Sequence, residues 1–170
     1  MRKLILNVAV SADGFIEGPN GEYDWCFNDQ DYGLEDFYQN IDTIFFGRKS
    51  YELMLTIDKN PFPDKKKYVF STTMKNDDDK ITLINENIYE ELNKLKDEPG
   101  KNIWLFGGAK LLETLMNKGF VDELMLSVHP IILGSGKPLF QNIDKRILLA
   151  LTEAKTFSSG LVQLFYKVQH

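Results

Sequence analysis

Cysteine is nearly absent from this 170-residue chain, with Cys26 its one thiol. That excludes an intramolecular disulfide framework and a cysteine-rich zinc site. An intracellular, cytoplasmic setting follows most simply. Histidine is almost as scarce, and His129 and His170 stand far apart, so neither a histidine metal set nor a cysteine–histidine pair is expected and no metal ligand is assigned. His129, in an apolar stretch, reads as a packed residue. Long apolar runs are missing too, since no segment approaches the ~20 consecutive apolar residues that span a bilayer. The amino-terminal Leu4–Val10 run is short, contains Asn7 and passes into Ser11-Ala12-Asp13-Gly14, so it reads as a first strand rather than a signal sequence. No membrane association is expected. Basic residues are outnumbered, 20 Lys and Arg against 25 Asp and Glu, for a net charge of -5; a nucleic-acid partner would call for a broad basic face instead. The run Asp77-Asp78-Asp79-Lys80 reads as a solvated turn. Nucleophile elbows, phosphoryl-transfer lysine loops and the three-glycine dinucleotide fingerprint are all absent.

What is present is an ordinary globular balance, 43% apolar and 26% charged, on a length that suits one domain over residues 1–170. Leu4–Val10 is an almost unbroken aliphatic run, the pattern of a central strand covered on both faces. Residues 12–28, with Gly14, Gly18, Pro19 and Gly21, favour a long shaped loop. Apolar residues at helical spacing predict a helix from Asp31 to Asn40. Thr43–Phe46 predicts a buried strand that enters a helix near Ser50–Leu55 through Gly47. Strands follow at Lys67–Ser71 and Ile81–Ile84, then a helix at Ile88–Lys96. Ile103–Phe106 repeats the strand, Gly107-Gly108 the turn, and Ala109–Asn117 the helix. A strand at Asp122–His129, a looped path from Pro130 to Phe140 and a hairpin of residues 147–156 and 161–168 complete the chain. This order gives an α/β fold, a three-layer α/β/α sandwich around a mixed, mainly parallel sheet with a carboxy-terminal antiparallel hairpin.

Two strands feeding helices through glycine place two sets of unpaired helix N–H groups at one sheet edge, an arrangement that suits the two sides of a pyrophosphate. A dinucleotide fits that spacing better than a lone phosphate. Gly47-Arg48-Lys49-Ser50 adds two cations where the helix dipole disfavours them, a conflict that a bound anion resolves. A simple tight turn at Gly107-Gly108, and cations that merely project into solvent, are the plainer readings.

Five motifs occur in order: Ser11-Ala12-Asp13-Gly14-Phe15-Ile16, Gly47-Arg48-Lys49-Ser50-Tyr51-Glu52, Phe106-Gly107-Gly108-Ala109, Asp122-Glu123-Leu124 and Pro130-Ile131-Ile132-Leu133-Gly134-Ser135-Gly136. Through them the chain resembles the family of the carboxy-terminal reductase domain of riboflavin biosynthesis, a relative of dihydrofolate reductase. The resemblance implies a dihydrofolate-reductase-like fold, NADPH as hydride donor, a small-molecule substrate and a homodimer. It places Gly47, Arg48, Lys49 and Ser50 beside the cofactor phosphates, Ser71, Thr72 and Thr73 near the adenosine ribose and its 2′-phosphate, and Phe106, Gly107, Gly108, Ala109, Lys110 and Leu111 under the pyrophosphate. Arg48 is the choice for the 2′-phosphate, because guanidinium meets phosphate in a bidentate fashion. Ala9 joins the cofactor set. The nicotinamide would lie near the end of the first strand, so Val10, Ala12, Asp13, Gly14 and Phe15 would border the reacting centre. Trp25, Phe27 and the helix to Phe37 would then cap the substrate.

Asp13 and Asp31 are the candidate catalytic carboxylates. Dihydrofolate reductase holds its pterin with one helix carboxylate, whereas Asp29, Asp31, Glu35 and Asp36 offer several acids without a unique match. The riboflavin-pathway enzyme also needs groups for its ribosyl phosphate and commonly carries a deaminase domain that this sequence lacks. Three readings are therefore carried forward: a reductase resembling that of 5-amino-6-(5-phosphoribosylamino)uracil, a dihydrofolate reductase, and a non-catalytic NADP(H)-binding regulatory protein.

Overall fold

The computed structural model describes residues 1–75 and 79–169; Asp77 and Asp78 of the expected acidic turn, and His170, lie outside them. Along the chain the elements are β1 (Leu4–Ser11), β2 (Phe15–Glu17), α1 (Leu34–Gln39), β3 (Ile41–Gly47), α2 (Arg48–Ile57), β4 (Lys66–Phe70) and β5 (Thr82–Ile84). They continue with α3 (Ile88–Asp97), β6 (Asn102–Gly107), α4 (Ala109–Asn117), β7 (Glu123–His129), β8 (Lys137–Pro138), β9 (Leu148–Thr156) and β10 (Val162–Gln169). An eight-stranded sheet runs in the order β5-β4-β3-β6-β1-β7-β10-β9. Pairing is parallel from β5 to β7, and β10 then turns antiparallel to both β7 and β9. β1 is interior, as its apolar run requires.

The two faces of this sheet follow from the period of two along each strand. Leu4, Leu6 and Val10 of β1, Phe45 of β3, and Ile103 and Leu105 of β6 pack with Leu92 and Leu95 of α3 and with Leu111, Leu112 and Leu115 of α4. The alternate positions Ile44, Phe46 and Trp104 pack with Phe37 of α1 and Tyr51 of α2. Helices thus cover both faces, and the fold is a three-layer α/β/α sandwich. Ion pairs lock its lower edge: the buried Arg2 binds Asp42 and donates to Thr43 Oγ1 at 2.7 Å, and the buried Lys96 meets Asp122 at 2.7 Å.

Most boundaries shift by one or two residues, and three elements depart further from the expectation. The looped segments 12–28 and 130–140 each contribute a short strand, β2 and β8, which pair as a separate antiparallel ribbon. Glycine and proline content forbids long regular structure but not a two- or three-residue bridge. The first helix begins at Leu34 rather than Asp31, because Tyr32 and Gly33 take left-handed conformations with φ of 53° and 77°. Asp31 then stands outside the helix, its Oδ1 accepting the Glu35 N–H at 2.9 Å. No helix among the described residues is long and apolar enough to cross a membrane.

Candidate active site

Strands β4, β3, β6 and β1 are consecutive neighbours running the same way, so their carboxyl ends deliver four segments in spatial order along one edge. These are Ser71–Thr73, Gly47–Ser50, Gly107–Lys110 and the end of β1. The register pairs Gly47 with Phe70 and Phe46 with Gly107. The two glycine turns touch: a Cβ on Gly47 would lie 3.2 Å from the Gly108 nitrogen, and one on Gly108 would lie 3.1 Å from Ser50 Oγ. Backbone from both turns can therefore approach a common ligand. The Gly107–Gly108 peptide is cis.

Electrostatics set these two helix starts apart. α1 and α3 carry acidic residues in their first turns, Glu35 and Asp36 in one and Glu90 and Glu91 in the other. No helix start among the described residues has a side-chain cap from its N-cap residue, but α2 and α4 also carry no acidic residue there, so their N–H groups and partial positive charge are left uncompensated. Arg48 stands beside them, half-exposed, with Glu52 Oε1 3.8 Å from its Nε, a surface pair worth little. Lys49 and Lys110 are exposed, whereas the side chains of Ala109 and Leu111 are buried and anchor α4. Ser71 Oγ accepts the N–H groups of Thr73 at 3.2 Å and Met74 at 3.0 Å. That fixed turn leaves Thr72 and Thr73 exposed at the outer end of the row.

At the inner end lies a cavity of about 550 Å³, on the sheet face covered by α1 and α2. Asn7 and Ala9 of β1, Trp104 and Phe106 of β6, and Met125, Ser127 and His129 of β7 line it from the sheet. Leu53, Met54 and Ile57 of α2, Leu161 and Gln163, and a loop bearing Tyr23, Cys26, Phe27, Asp31 and Tyr32 close the sides. Of the expected site residues, Ala9, Phe106, Asp31 and Phe27 are brought to this cavity.

Val10, Ala12, Asp13, Gly14, Phe15, Trp25 and Phe37 do not line it. Val10 points to the opposite face and packs in the core with α4, as its parity relative to Ala9 requires. Phe37 is buried edge-on to Trp104, with ring centres 5.4 Å apart. Asp13 is exposed and accepts from Ser11 Oγ at 2.7 Å, the Leu133 N–H at 3.1 Å and the Gly134 N–H at 2.8 Å. The Ser11 hydroxyl first, then those amides, hold its carboxyl below the ordinary range. It clasps two loops. Ala12, Gly14 and Phe15 belong to the same turn, with the Phe15 N–H donating to Ser11 Oγ at 2.9 Å. Trp25 stands behind the cavity wall, edge-on to His129 at 5.3 Å.

His129 is the residue that the sequence reading placed in the packed core, and it is indeed buried, but at the cavity. Its Nδ1 lies 2.9 Å from the Ser127 carbonyl, which can only accept, while its Nε2 accepts the Phe27 N–H at 3.1 Å. The ring is thus neutral with its proton on Nδ1, and burial pushes its pKa below the ordinary value. Gln163 extends the network, donating to the Tyr32 carbonyl at 2.8 Å and Ser127 Oγ at 3.1 Å. The Cys26 thiol, pushed up to about 11 by burial and then by Asp24, is protonated at neutral pH. A sequence signal for these groups exists in hindsight: Ser127, His129 and Gln163 are isolated polar residues in apolar strands, and Ser127 and His129 share one face. Among the described residues no cluster of histidine, cysteine or carboxylate groups could hold a metal ion.

Comparison with known proteins adds the ancestry. Residues 2–163 match the family model described as RibD C-terminal domain. YyaP of Bacillus subtilis (strain 168), named as uncharacterized, is 52% identical over 97% of this chain and 94% of its own. YwjB of the same organism, also named as uncharacterized, is 39% identical over 97% of each. Among solved structures, a protein of Shewanella sp. PV-4 described under riboflavin biosynthesis superimposes with a TM-score of 0.88 at 22% identity, covering 99% of both chains. Dihydrofolate reductase of Enterococcus faecalis, solved with NADP(H), gives 0.72 at 18% identity over 99% of this chain and 97% of its own. The bifunctional deaminase/5-amino-6-(5-phosphoribosylamino)uracil reductase of Thermotoga maritima gives 0.74 at 12% identity, covering 98% of this chain and 56% of that one. These structural likenesses show a shared fold.

Proposed function

The chain belongs to the RibD C-terminal domain family, and on that premise we propose that it is an NADPH-dependent reductase that passes a hydride to a small heteroaromatic or carbonyl substrate. One observation carries the reading: a turn rich in hydroxyls, two uncapped helix starts and an aromatic cavity lie in sequence along a single sheet edge. That is the order of a 2′-phosphorylated ribose, a pyrophosphate and a nicotinamide. The fit rests on the cradle between α2 and α4, which a Cβ on Gly47 or Gly108 would crowd. When bound, NADPH supplies the hydride.

The chain's own groups do the rest. Thr72, Thr73 and Arg48 would hold the 2′-phosphate, and the backbone N–H groups at the starts of α2 and α4 the pyrophosphate. Ala9, small and on the cavity face of β1, leaves room for a ring to lie flat beside Phe106. Around a bound ring, Trp104, Phe106, Phe27, Leu53 and Met54 would exclude water, which would strengthen the polar contacts inside. Asp31 Oδ2 can accept a ring N–H and so fix the acceptor's orientation, a positioning that bound substrates need at close range. The His129–Phe27 bond holds the roof loop over the cavity.

The resemblance suggests 5-amino-6-(5-phosphoribosylamino)uracil as substrate, with dihydrofolate the alternative that a cavity carboxylate favours. We also propose a homodimer. The first test is a fluorescence titration with NADPH and, separately, NADH, using Trp25 and Trp104, followed by NADPH oxidation with each substrate. Saturable quenching that prefers NADPH, with oxidation by a ring substrate, is expected. Binding without oxidation by any pyrimidine or pterin would instead mark a non-catalytic NADP(H)-binding protein, and no binding would overturn the cofactor assignment.

A further inference from the structure

Resting on the reductase reading, and in place of the phosphoribosyl substrate that the resemblance suggests, we propose that the cavity selects a flat heterocycle carrying no phosphate, so that the unphosphorylated ring is the substrate class. The charges that face a bound ring carry this inference. Among the described residues that line the cavity there is no lysine or arginine; its formally charged residues are Glu17 and Asp31. The nearest cation that the ribbon offers, Lys137, already lies 3.1 Å from Glu17 Oε1. Two of its neutral polar side chains are engaged within the protein: the Gln163 amide nitrogen serves Tyr32 and Ser127, and His129 uses both ring nitrogens.

The cavity mouth repeats the pattern. The segment from Gly18 to Asp36 that forms the roof carries Glu22, Asp24, Asp29, Asp31, Glu35 and Asp36 and no basic residue. The helix start that lines the cavity, that of α1 at Leu34, opens with Glu35 and Asp36, which oppose its partial positive charge. The two uncompensated starts, those of α2 and α4, sit in the middle of the row, where the cofactor pyrophosphate is assigned. A phosphoryl group attached to the substrate would thus meet Glu17, Asp31 and a roof segment of exposed carboxylates, with no lysine or arginine among the described lining residues to pair with it. A neutral or cationic ring, by contrast, loses nothing there and gains Asp31 as an acceptor for its N–H groups.

The experiment is a calorimetric titration, with and without NADP⁺, of the full chain with three probes: 5-amino-6-ribosylaminouracil, its 5′-phosphate, and 6-methylpterin. The neutral rings are expected to bind at least about tenfold more tightly than the phosphate at low ionic strength, a gap of ~1.4 kcal/mol. The gap should narrow as salt screens the carboxylates and again in Asp31→Asn. Phosphate binding that equals or exceeds that of the neutral ring, or failure of both neutral rings to bind, overturns the inference. A parallel NADPH titration separates the two claims: NADPH binding with a preferred phosphate sinks the selectivity and leaves the reductase, whereas neutral-ring binding without NADPH binding sinks the reductase and leaves the selectivity.

Discussion

Arg48 stands where a helix dipole disfavours a cation, and its nearest anion, Glu52, is a loose exposed partner at 3.8 Å. Replacing it with Ala should therefore leave stability within about 0.5 kcal/mol but weaken NADPH by roughly 1.5–3 kcal/mol through loss of charge-assisted bonds. NADH, without the extra phosphate, should bind as before; equal loss for both cofactors would remove Arg48 from the 2′-phosphate. His129 makes a second claim at this scale. Burial depresses its pKa below the ordinary 6.5, and only the neutral ring can accept the Phe27 N–H. The unfolded chain then binds a proton that the folded one resists, so stability is complete above about pH 6.5 and falls as pH drops toward the folded value. Urea unfolding between pH 5 and 7 should show that slope, and His129→Gln, which keeps an acceptor but does not titrate, should flatten it. An unchanged slope would mean that other groups govern the acid limb.

Among the elements, the β2–β8 ribbon depends on one glycine. Gly136 has φ of 145°, and a Cβ there would fall 2.2 Å from the Glu17 carbonyl oxygen, inside the register that pairs Glu17 with Lys137. Gly136→Ala should cost roughly 1 kcal/mol or more by denaturation and displace Glu17 at the cavity. Substrate KM should rise while NADPH affinity holds, because the cofactor edge lies on other strands; a parallel loss of both would tie the ribbon to the whole site. This division also marks what sequence could reveal. The turns at Gly47, Ser71 and Gly107 are local, each a strand end followed directly by its candidate residues, and their order was legible. The cavity is not local: Gln163 reaches Tyr32 across 131 residues, and Phe27 reaches His129 across 102. Asp13, next to the end of β1 in sequence, was drawn instead into clasping Leu133 and Gly134, a contact across 120 positions or more. Strand parity would have sent Val10 away from the cavity once Ala9 was placed on it.

At the scale of the whole molecule the sheet has two unequal edges. β5 is three residues long and offers little to pair with, whereas β9 extends over nine. Leu148, Leu149 and Leu151 on β9 are 66%, 37% and 56% exposed, and a long apolar edge strand is an open template for a second chain. No proline interrupts it, and Glu153 and Lys155, which pair with each other at 3.6 Å, are its charged residues. With the homodimer that the resemblance implies, β9 becomes the expected seam. Sedimentation equilibrium should give twice the chain mass, and Leu149→Lys with Leu151→Lys should give monomers that retain NADPH binding, since β9 lies at the far end of the sheet from β3, β4 and β6. A wild-type monomer would leave these leucines as exposed apolar surface with no partner. A dimer that survives both lysines would move the seam to another face.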